Sequence, residues 1–502
     1  MFRHLFASVA EEMGVTLRRT AFSPNIKERR DYSAAVFDAD GHMVSQAAHL
    51  PVHLGSMPLS VRAAIDAVPL GPGDEAILND PYSGGTHLPD ITVVRPVFLD
   101  PSDDRPAWYV ANRAHHADVG GERPGSMVLS DHIDHEGLRL APQLLDDGCV
   151  HRILAAVRTP AEREGDLAAQ RAANATGHAR LLAMCEDHGR ATVAERARWL
   201  HARAEAMMRA VIEDLPDGVY AAEDWLDGDG LGAGPIRIAV ELTISGDSAH
   251  VDFTGADPQA AGPMNSVFAI TLSATVYCFR CIAPAELPGS GGYMAPIRVT
   301  APEGTIVNAR YPAPVFGGNV ETSQRIVDVV FRALQQALPD RIPAASCGTM
   351  NNVTFGGTDF AYYETLAGGM GGGPAGPGAS GLHSHMTNTL NTPVEALEHQ
   401  YPVRIDRYAL RPGTGGAGEH AGGDGIVREY RFLAPAAVTV LSERRARGAW
   451  GLNGGGDGAP GRNTLVRADG REEPLAAKFA LDVSPGETLR IETPGGGGWS
   501  KA

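Results

Sequence analysis

The chain is short of cysteine, of long apolar runs and of any block of like charge, and each shortage excludes something. Five cysteines in 502 residues, at positions 149, 185, 278, 281 and 347, are odd in number and scattered, so they do not read as a disulfide framework. Cys278 and Cys281 have redox-motif spacing, but they lie in the apolar stretch 270–282 and read as two small core residues on one helical turn. No run of roughly 18 or more apolar residues occurs, so no transmembrane helix is expected. The opening Met1-Phe-Arg-His-Leu-Phe is not followed by a long apolar stretch and a processing site, which makes a cytoplasmic, reduced protein the expectation. With 43 Lys and Arg against 60 Asp and Glu, the formal charge is −17 and no basic patch reverses it. That balance argues against nucleic acid or an anionic membrane as partner. Glycine is what the chain has in excess: 60 residues, roughly 12% against about 7% in average proteins, which implies many tight turns and close backbone approaches.

The length allows two or three domains. Phe2, Leu5, Phe6, Val9, Met13 and Leu17 recur at spacings of three and four, the pattern of an amphipathic helix over 2–19. From Tyr32 the pattern turns to strands: 33–38 and 43–47 around the turn Asp38-Ala-Asp-Gly41, then 76–78, 91–98 and 108–112, with 57–68 helical. A helical zone rich in Ala, Arg and Glu covers roughly 160–214 and ends at Asp214-Leu-Pro-Asp-Gly218. Alternating stretches at 236–244 and 249–253 predict antiparallel strands, and helices are expected near 265–282 and 321–338. The last 130 residues are Gly-rich with short strands. The expected fold is therefore mixed α/β (α+β) in several regions. These are an α/β region at 1–155, a helical segment at 156–217, and a β-rich region at 218–502 whose Gly runs near 370 and 495 suit tight packing or subunit contact.

Chemistry concentrates in two segments. Asn79-Asp-Pro-Tyr-Ser-Gly-Gly-Thr-His87-Leu-Pro-Asp90 sets a His and an Asp three residues apart in a loop that Pro89 keeps from being helical. Asn112-Arg-Ala-His115-His116-Ala-Asp118-Val-Gly-Gly121 follows the next strand. Two strand ends that each deliver imidazole and carboxylate can build a divalent-metal site, with Zn, Mn or Mg open on ligand chemistry. An ion with an open position lowers the pKa of water to near 7. The spacing also fits surface histidines satisfied by nearby carboxylates, and His42, His49, His53, His132 and His135 all read as structural.

The words Ser23-Pro-Asn-Ile-Lys-Glu-Arg-Arg-Asp31, Pro51-Val-His-Leu-Gly-Ser-Met57, Asn79–Asp90, His115–Gly121, Asp252-Phe-Thr-Gly255, Asn388-Thr-Leu-Asn-Thr-Pro-Val-Glu395 and Arg428-Glu429 occur in one order along nearly the whole chain. In them the sequence resembles the hydantoinase B/oxoprolinase family, whose relatives include a subunit of the acetone and acetophenone carboxylases. The resemblance implies the metal-dependent hydrolytic subunit of an ATP-dependent hydrolase of cyclic amides such as hydantoins or 5-oxoproline. It implies a separate partner similar to hydantoinase A, an actin-fold ATPase that phosphorylates the carbonyl oxygen of the ring, and hence a hetero-oligomer. The family's metal ligands fall on His87, Asp90 and His115, with Asp31 as a fourth. His116 is set aside because relatives often hold another residue type there. Asp118 is expected to orient a ligand histidine. The chain has neither a Gly-x-x-x-x-Gly-Lys-Ser/Thr loop nor the partner's Asp-x-Gly-Gly-Thr word, which places ATP on the partner.

Weaker candidates stay open. Glu136 reads either as a general acid or base at the metal or as a turn carboxylate. The segment 317–323 reads as an anion-binding helix start or as a cap with Asn319 at the N-cap. Asn388, Asn391 and Glu395 read as a polar loop of either kind. Ala421 stands where relatives commonly carry Arg before Gly422-Gly423, and Arg428 is the nearby cation that would substitute for it. Two other readings compete: a ketone carboxylase subunit, and a non-catalytic scaffold for the partner.

Overall fold

The computed structural model describes residues 1–47 and 50–501. The site depends on one six-stranded antiparallel sheet. Its strands are β1 (Tyr32–Asp38), β2 (Met43–Gln46), β3 (Ala76–Leu78), β4 (Asp90–Val97), β5 (Trp108–His115) and β6 (Gln143–Leu144), in the order β2-β1-β5-β4-β3-β6. All eight residues of β5 are buried, because both faces of the sheet are covered. Alternation sorts the side chains. Ala34, Val36, Val110 and Ala114 join Phe6, Val9, Met13 and Leu17 of helix Phe2–Thr20, together with Ala173 and Leu181 of helix Pro160–His188. Ala35, Phe37, Val94, Tyr109 and Ala111 meet Met57, Val61 and Ala64 of helix Ser56–Ala67 on the other face.

The expected helical zone is three helices, Asp147–Ala156, Pro160–His188 and Arg190–Glu213. Gly189, at φ +82°, separates the last two. A second sheet, in the order 297–300, 248–252, 236–245, 218–226, packs on helices Phe268–Ile282 and Ser323–Ala337. Two further sheets, one holding Asn352–Gly356 and Ala436–Leu441, the other Gly425–Phe432 and Thr488–Glu492, share a core that includes Phe355, Val438, Tyr430 and Ile491. The fold is thus mixed α and β, as the sequence implies. Cys278 is buried but Cys281 is exposed, so the helical-turn pair contributes one core residue, not two. No helix of the described residues is long and apolar enough to cross a membrane.

The glycine excess has a physical use in the C-terminal half. Backbones around 370, 415–423 and 495–498 run against one another, with Gly496 N–H on Gly423 O at 3.0 Å, Gly416 N–H on Gly496 O at 2.8 Å and Gly423 N–H on Met370 O at 2.8 Å. A Cβ on Gly496 would stand 2.0 Å from Met370 O. These chains approach closer than any side chain permits, and Ala421 sits among them with its carbonyl accepting from Gly378 N–H.

Candidate metal centre

Three neighbouring strands end at one place. In the ladder of β4 and β5, Asp90 stands directly opposite His115, and β1 pairs Tyr32 with Ala114. Asp31 therefore lies just beyond the first pair of β1, and its carbonyl accepts the His115 N–H at 3.0 Å. Pleat parity puts Asp31, Asp90 and His115 on the same face, the one that carries Ala35, Val94 and Ala111. His87 arrives from the turn before β4, its carbonyl accepting the Asp90 N–H at 3.1 Å. Glycines make that turn: a Cβ on Gly85 would meet Asp80 O at 2.6 Å. His116 is one residue past β5, so its ring points to the opposite face and meets Gln170 of helix 160–188 at 2.9 Å. The choice of His115 over His116 thus has a geometric cause.

His87, Asp90 and His115 each offer a ligand atom within 4.8 Å of the others. His87 Nε2 lies 3.3 Å and His115 Nδ1 3.5 Å from the Asp90 oxygens, and Asp31 is 4.0 Å from His115 Nδ1. Those separations are long for charge-assisted hydrogen bonds. They match the edge of about 3.4 Å between ligands that each stand about 2.1 Å from a tetrahedral ion. Asn319 Nδ2 is 3.1 Å from His87 Nε2, and its Oδ1 is buried without a hydrogen-bond partner. Two imidazoles, two buried carboxylates and an unpaired amide oxygen are a donor set that fits a divalent ion.

Neighbours hold these side chains in place. Thr86 Oγ1 donates to Asp90 Oδ2 at 2.6 Å. His53 Nε2 is 3.4 Å from the same oxygen, while its Nδ1 is 2.8 Å from Ser33 Oγ. The Tyr363 ring stacks on His115 at 4.6 Å, and its hydroxyl donates to Asn352. Arg29 lies over the Tyr363 ring, 4.8 Å from its centroid, and 3.9 Å from Asp31. Together, Asp31, Asp90, His115, His53, Asn319 and Tyr363 line much of a cavity of ≈ 20 Å³, room for one water-sized occupant. Burial alone would raise the Asp90 carboxyl, but the charge of His87 and the polar contacts of His115 and His53 outweigh it and hold it well below the carboxylate range. Burial raises Asp31 despite His115 and Arg29. Burial also lowers His115 and His53, which disfavours the charged form of both rings.

The structure brings His87, Asp90, His115 and Asp31 together, with Asn319 beside them, whereas Asp118, Glu136 and Arg428 do not line the cavity. Asp118 pairs with Arg158 at 2.8 Å and accepts the Gly120 and Gly125 N–H groups; its hydrogen bonds serve this loop rather than a ligand histidine. Glu136 is buried and accepts the Val315 and Phe316 N–H groups on Oε1, and Phe316 in turn packs against His87 at 4.8 Å. Asn319 is not a helix cap, because 318–322 form a π-turn that aims its amide at His87. Arg428 is fully buried, 3.3 Å from Glu364 and over the Tyr408 ring, so it cannot stand in for an exposed cation near Ala421. Asn391 donates to Glu364 and Thr365, while Glu395 is an exposed first-turn residue. His42 pairs with the half-buried Asp38, His132 and His135 pair with exposed carboxylates, and His49 lies outside the described residues. His53 is the site residue that sequence reasoning misplaced; its signal was its position inside Pro51–Met57.

The family model of Hydantoinase B/oxoprolinase matches residues 1–502. An uncharacterized protein of Methanocaldococcus jannaschii is 42% identical over 504 residues, covering 98% of this chain and 88% of that protein. 5-Oxoprolinase 1 of Arabidopsis thaliana is 40% identical over 536 residues, covering 99% of this chain but 41% of that protein. The chain thus spans about two fifths of the length of this plant relative. The crystal structure of an ATP-dependent caprolactamase from Pseudomonas jessenii superposes with a TM-score of 0.91 at 28% identity, covering 100% of this chain and 90% of that one. A nucleotide-free acetone carboxylase structure shares the fold, with a TM-score of 0.88 at 16% identity, covering 99% of this chain and 74% of that chain. With a family match from its first residue to its last and these identities, the chain belongs to the hydantoinase B/oxoprolinase family.

Proposed function

We propose that the chain is the metal-dependent hydrolytic part of an ATP-dependent cyclic-amide hydrolase, acting on a ring whose carbonyl oxygen a partner ATPase has phosphorylated. The observation that carries this reading is the convergence of Asp31, Asp90 and His115 from three adjacent strands around one small cavity, with His87 against Asp90. A divalent ion (Zn, Mn or Mg) held by these four would supply Lewis acidity and a water of lowered pKa. The chain's own part is positioning. Thr86 and His53 fix the Asp90 carboxylate, Tyr363 fixes the His115 ring, and Phe316 with Asn319 flanks His87. Burial excludes bulk water, which strengthens each of these interactions. A ring amide is a poor electrophile. Once its oxygen is a phosphate ester, addition of water at that carbon needs only orientation and charge stabilisation. Glu136 and Asp118 belong in this scheme as positioning residues. Glu136 holds the backbone that carries Phe316, and Asp118 holds the loop after β5.

The test is elemental analysis of the purified chain, followed by ring opening with the partner ATPase, ATP and a cyclic amide, with and without bicarbonate. About one divalent ion per chain is expected, with activity that needs no bicarbonate and is lost in Asp90→Asn. A metal-free preparation that is fully active, or an active Asp90→Asn, would establish a scaffold instead. Dependence on bicarbonate would establish a carboxylase.

A further inference from the structure

Behind the wall of the metal cavity stands a carboxyl group that the proposed function does not use. Glu321 is fully buried in the π-turn 318–322 that leads into helix Ser323–Ala337, and it does not itself line the cavity. Its chain neighbours Asn319 and Val320 do line it, and so do Met350 and Tyr363. One oxygen, Oε1, gathers these four. It accepts the Met350 N–H at 3.1 Å and the Asn352 side-chain N–H at 2.6 Å. Asn352 Oδ1 in turn accepts the Tyr363 hydroxyl at 2.9 Å. Oε2 has no hydrogen-bond partner among the described residues, so whatever Glu321 holds, it holds through Oε1.

Two routes of contact run from that oxygen to the two histidines of the site. One passes through Asn352 to the Tyr363 ring, which stacks on His115 with centroids 4.6 Å and planes 11° apart. The other passes along the π-turn to Asn319, whose Nδ2 is 3.1 Å from His87 Nε2. The two imidazoles face each other with centroids 5.0 Å apart. Strand register and the turn before β4 fix their backbones. They do not fix the rings, because the second torsion of histidine is broad and takes its value from what the ring touches. Ligation depends on ring orientation, which outer partners commonly supply. The π-turn points the same way, since such turns recur inside helices at functional sites.

We infer that Glu321 is a positioning residue that sets the orientation of both histidines at once, His115 through Asn352 and Tyr363, His87 through the π-turn and Asn319. That these histidines hold a metal rests on the proposed function; the two routes of contact do not.

The test is zinc affinity of the full 502-residue chain, read by competition with a chromogenic chelator, together with the visible spectrum of the cobalt-loaded chain. Zinc is the probe because imidazole sites bind it more tightly than manganese. Glu321→Leu is expected to weaken zinc by about 10–100-fold and to shift the cobalt bands. Glu321→Gln is expected to stay within about threefold of wild type with an unshifted spectrum, because its amide oxygen accepts the same two N–H groups. Tyr363→Phe, which deletes one oxygen, is expected to weaken zinc by about tenfold. The double variant Glu321→Leu/Tyr363→Phe is expected to lose less than the two single losses combined, because both substitutions break the route to His115. A purely structural carboxyl would lower the unfolding midpoint of Glu321→Leu without moving the cobalt spectrum or producing that shortfall. Unchanged zinc affinity in Glu321→Leu, failure of Glu321→Gln to preserve it, or fully additive losses would each overturn the inference. If Glu321→Leu does not fold, Tyr363→Phe and Glu321→Gln decide, and wild-type affinity in Tyr363→Phe overturns it. A wild-type chain that binds no divalent ion would overturn the metal reading and this inference with it, whereas wild-type binding that survives Glu321→Leu unchanged overturns this inference alone.

Discussion

Replacing Glu136 by Gln tests at once what the buried carboxyl does for stability and whether it takes part in the chemistry. Its Oε1 accepts two backbone N–H groups, from Val315 at 2.9 Å and Phe316 at 3.0 Å, while Oε2 is buried with no partner. Burial outweighs those two bonds and pushes its pKa up from 4.5 to about 8. In the unfolded chain the group ionises near its ordinary value, so between these two values the folded state holds a proton that the unfolded state has lost. Stability therefore falls as pH rises through this window and levels off above the folded value. At about 1.36 kcal/mol per unit, the two units from about pH 6 to about pH 8 amount to about 3 kcal/mol. Glutamine keeps the accepting oxygen, and its NH₂ takes the place of a protonated oxygen that had no partner either. The variant is therefore expected to match the wild type near pH 5 and to be more stable above pH 8, by about 5 kcal/mol at the limit. Urea unfolding followed by tryptophan fluorescence near pH 6 and near pH 9 reads the difference directly. Losses in wild type and variant that agree within about 0.5 kcal/mol would refute the account. The same variant is expected to keep kcat within about threefold, because Glu136 reaches the site only through the backbone of Phe316. A loss of about a hundredfold or more would put the carboxyl in the reaction.

Two further outcomes follow from the packing. His115→Ala is expected to lose bound metal whereas His116→Ala retains it, since the two rings lie on opposite faces of β5; elemental analysis decides, and equal loss in both variants would refute the pleat argument. Gly496→Ala is expected to destabilise by about 3 kcal/mol or more, because its Cβ would meet Met370 O at 2.0 Å and Met370 C at 2.2 Å, neither of which can yield as a side chain would. Gly234→Ala, with nothing within 4 Å of the new atom, should stay within about 0.5 kcal/mol, and similar unfolding midpoints for the two variants would count against the backbone-packing reading.

What the sequence discloses is what depends on local pattern. Helical periodicity gives 2–20 and 323–337 almost to the residue, and alternation gives the antiparallel pairing of 236–245 with 248–252. The cluster of His87, Asp90, His115 and Asp31 was legible because His87 and Asp90 share one turn and the family words bracket His115 and Asp31. The convergence itself was not, because the register that sets Asp90 against His115 is a long-range fact. Pattern alone ends β5 at Asn112, since His, Arg and Asn rarely fill buried strand positions. Here they do, because each polar side chain has a buried partner: Asn112 on Asn174, Arg113 on Ser56 and Ser60, and His115 against Asp90 and the Tyr363 ring. The residues misread share one trait. Asn319 looks like a helix cap and His53 like a structural histidine because both enter the site from segments remote in sequence, one through a π-turn and the other through a single 3-10 turn. Their roles follow from which face of the sheet those turns cover. Ser33, on the face that Asp31 and His115 share, anchors His53 by its Nδ1 and leaves Nε2 for Asp90. The parity that selects His115 therefore also selects His53, and a one-residue slip of β1 would turn Asp31 and Ser33 away from the site together.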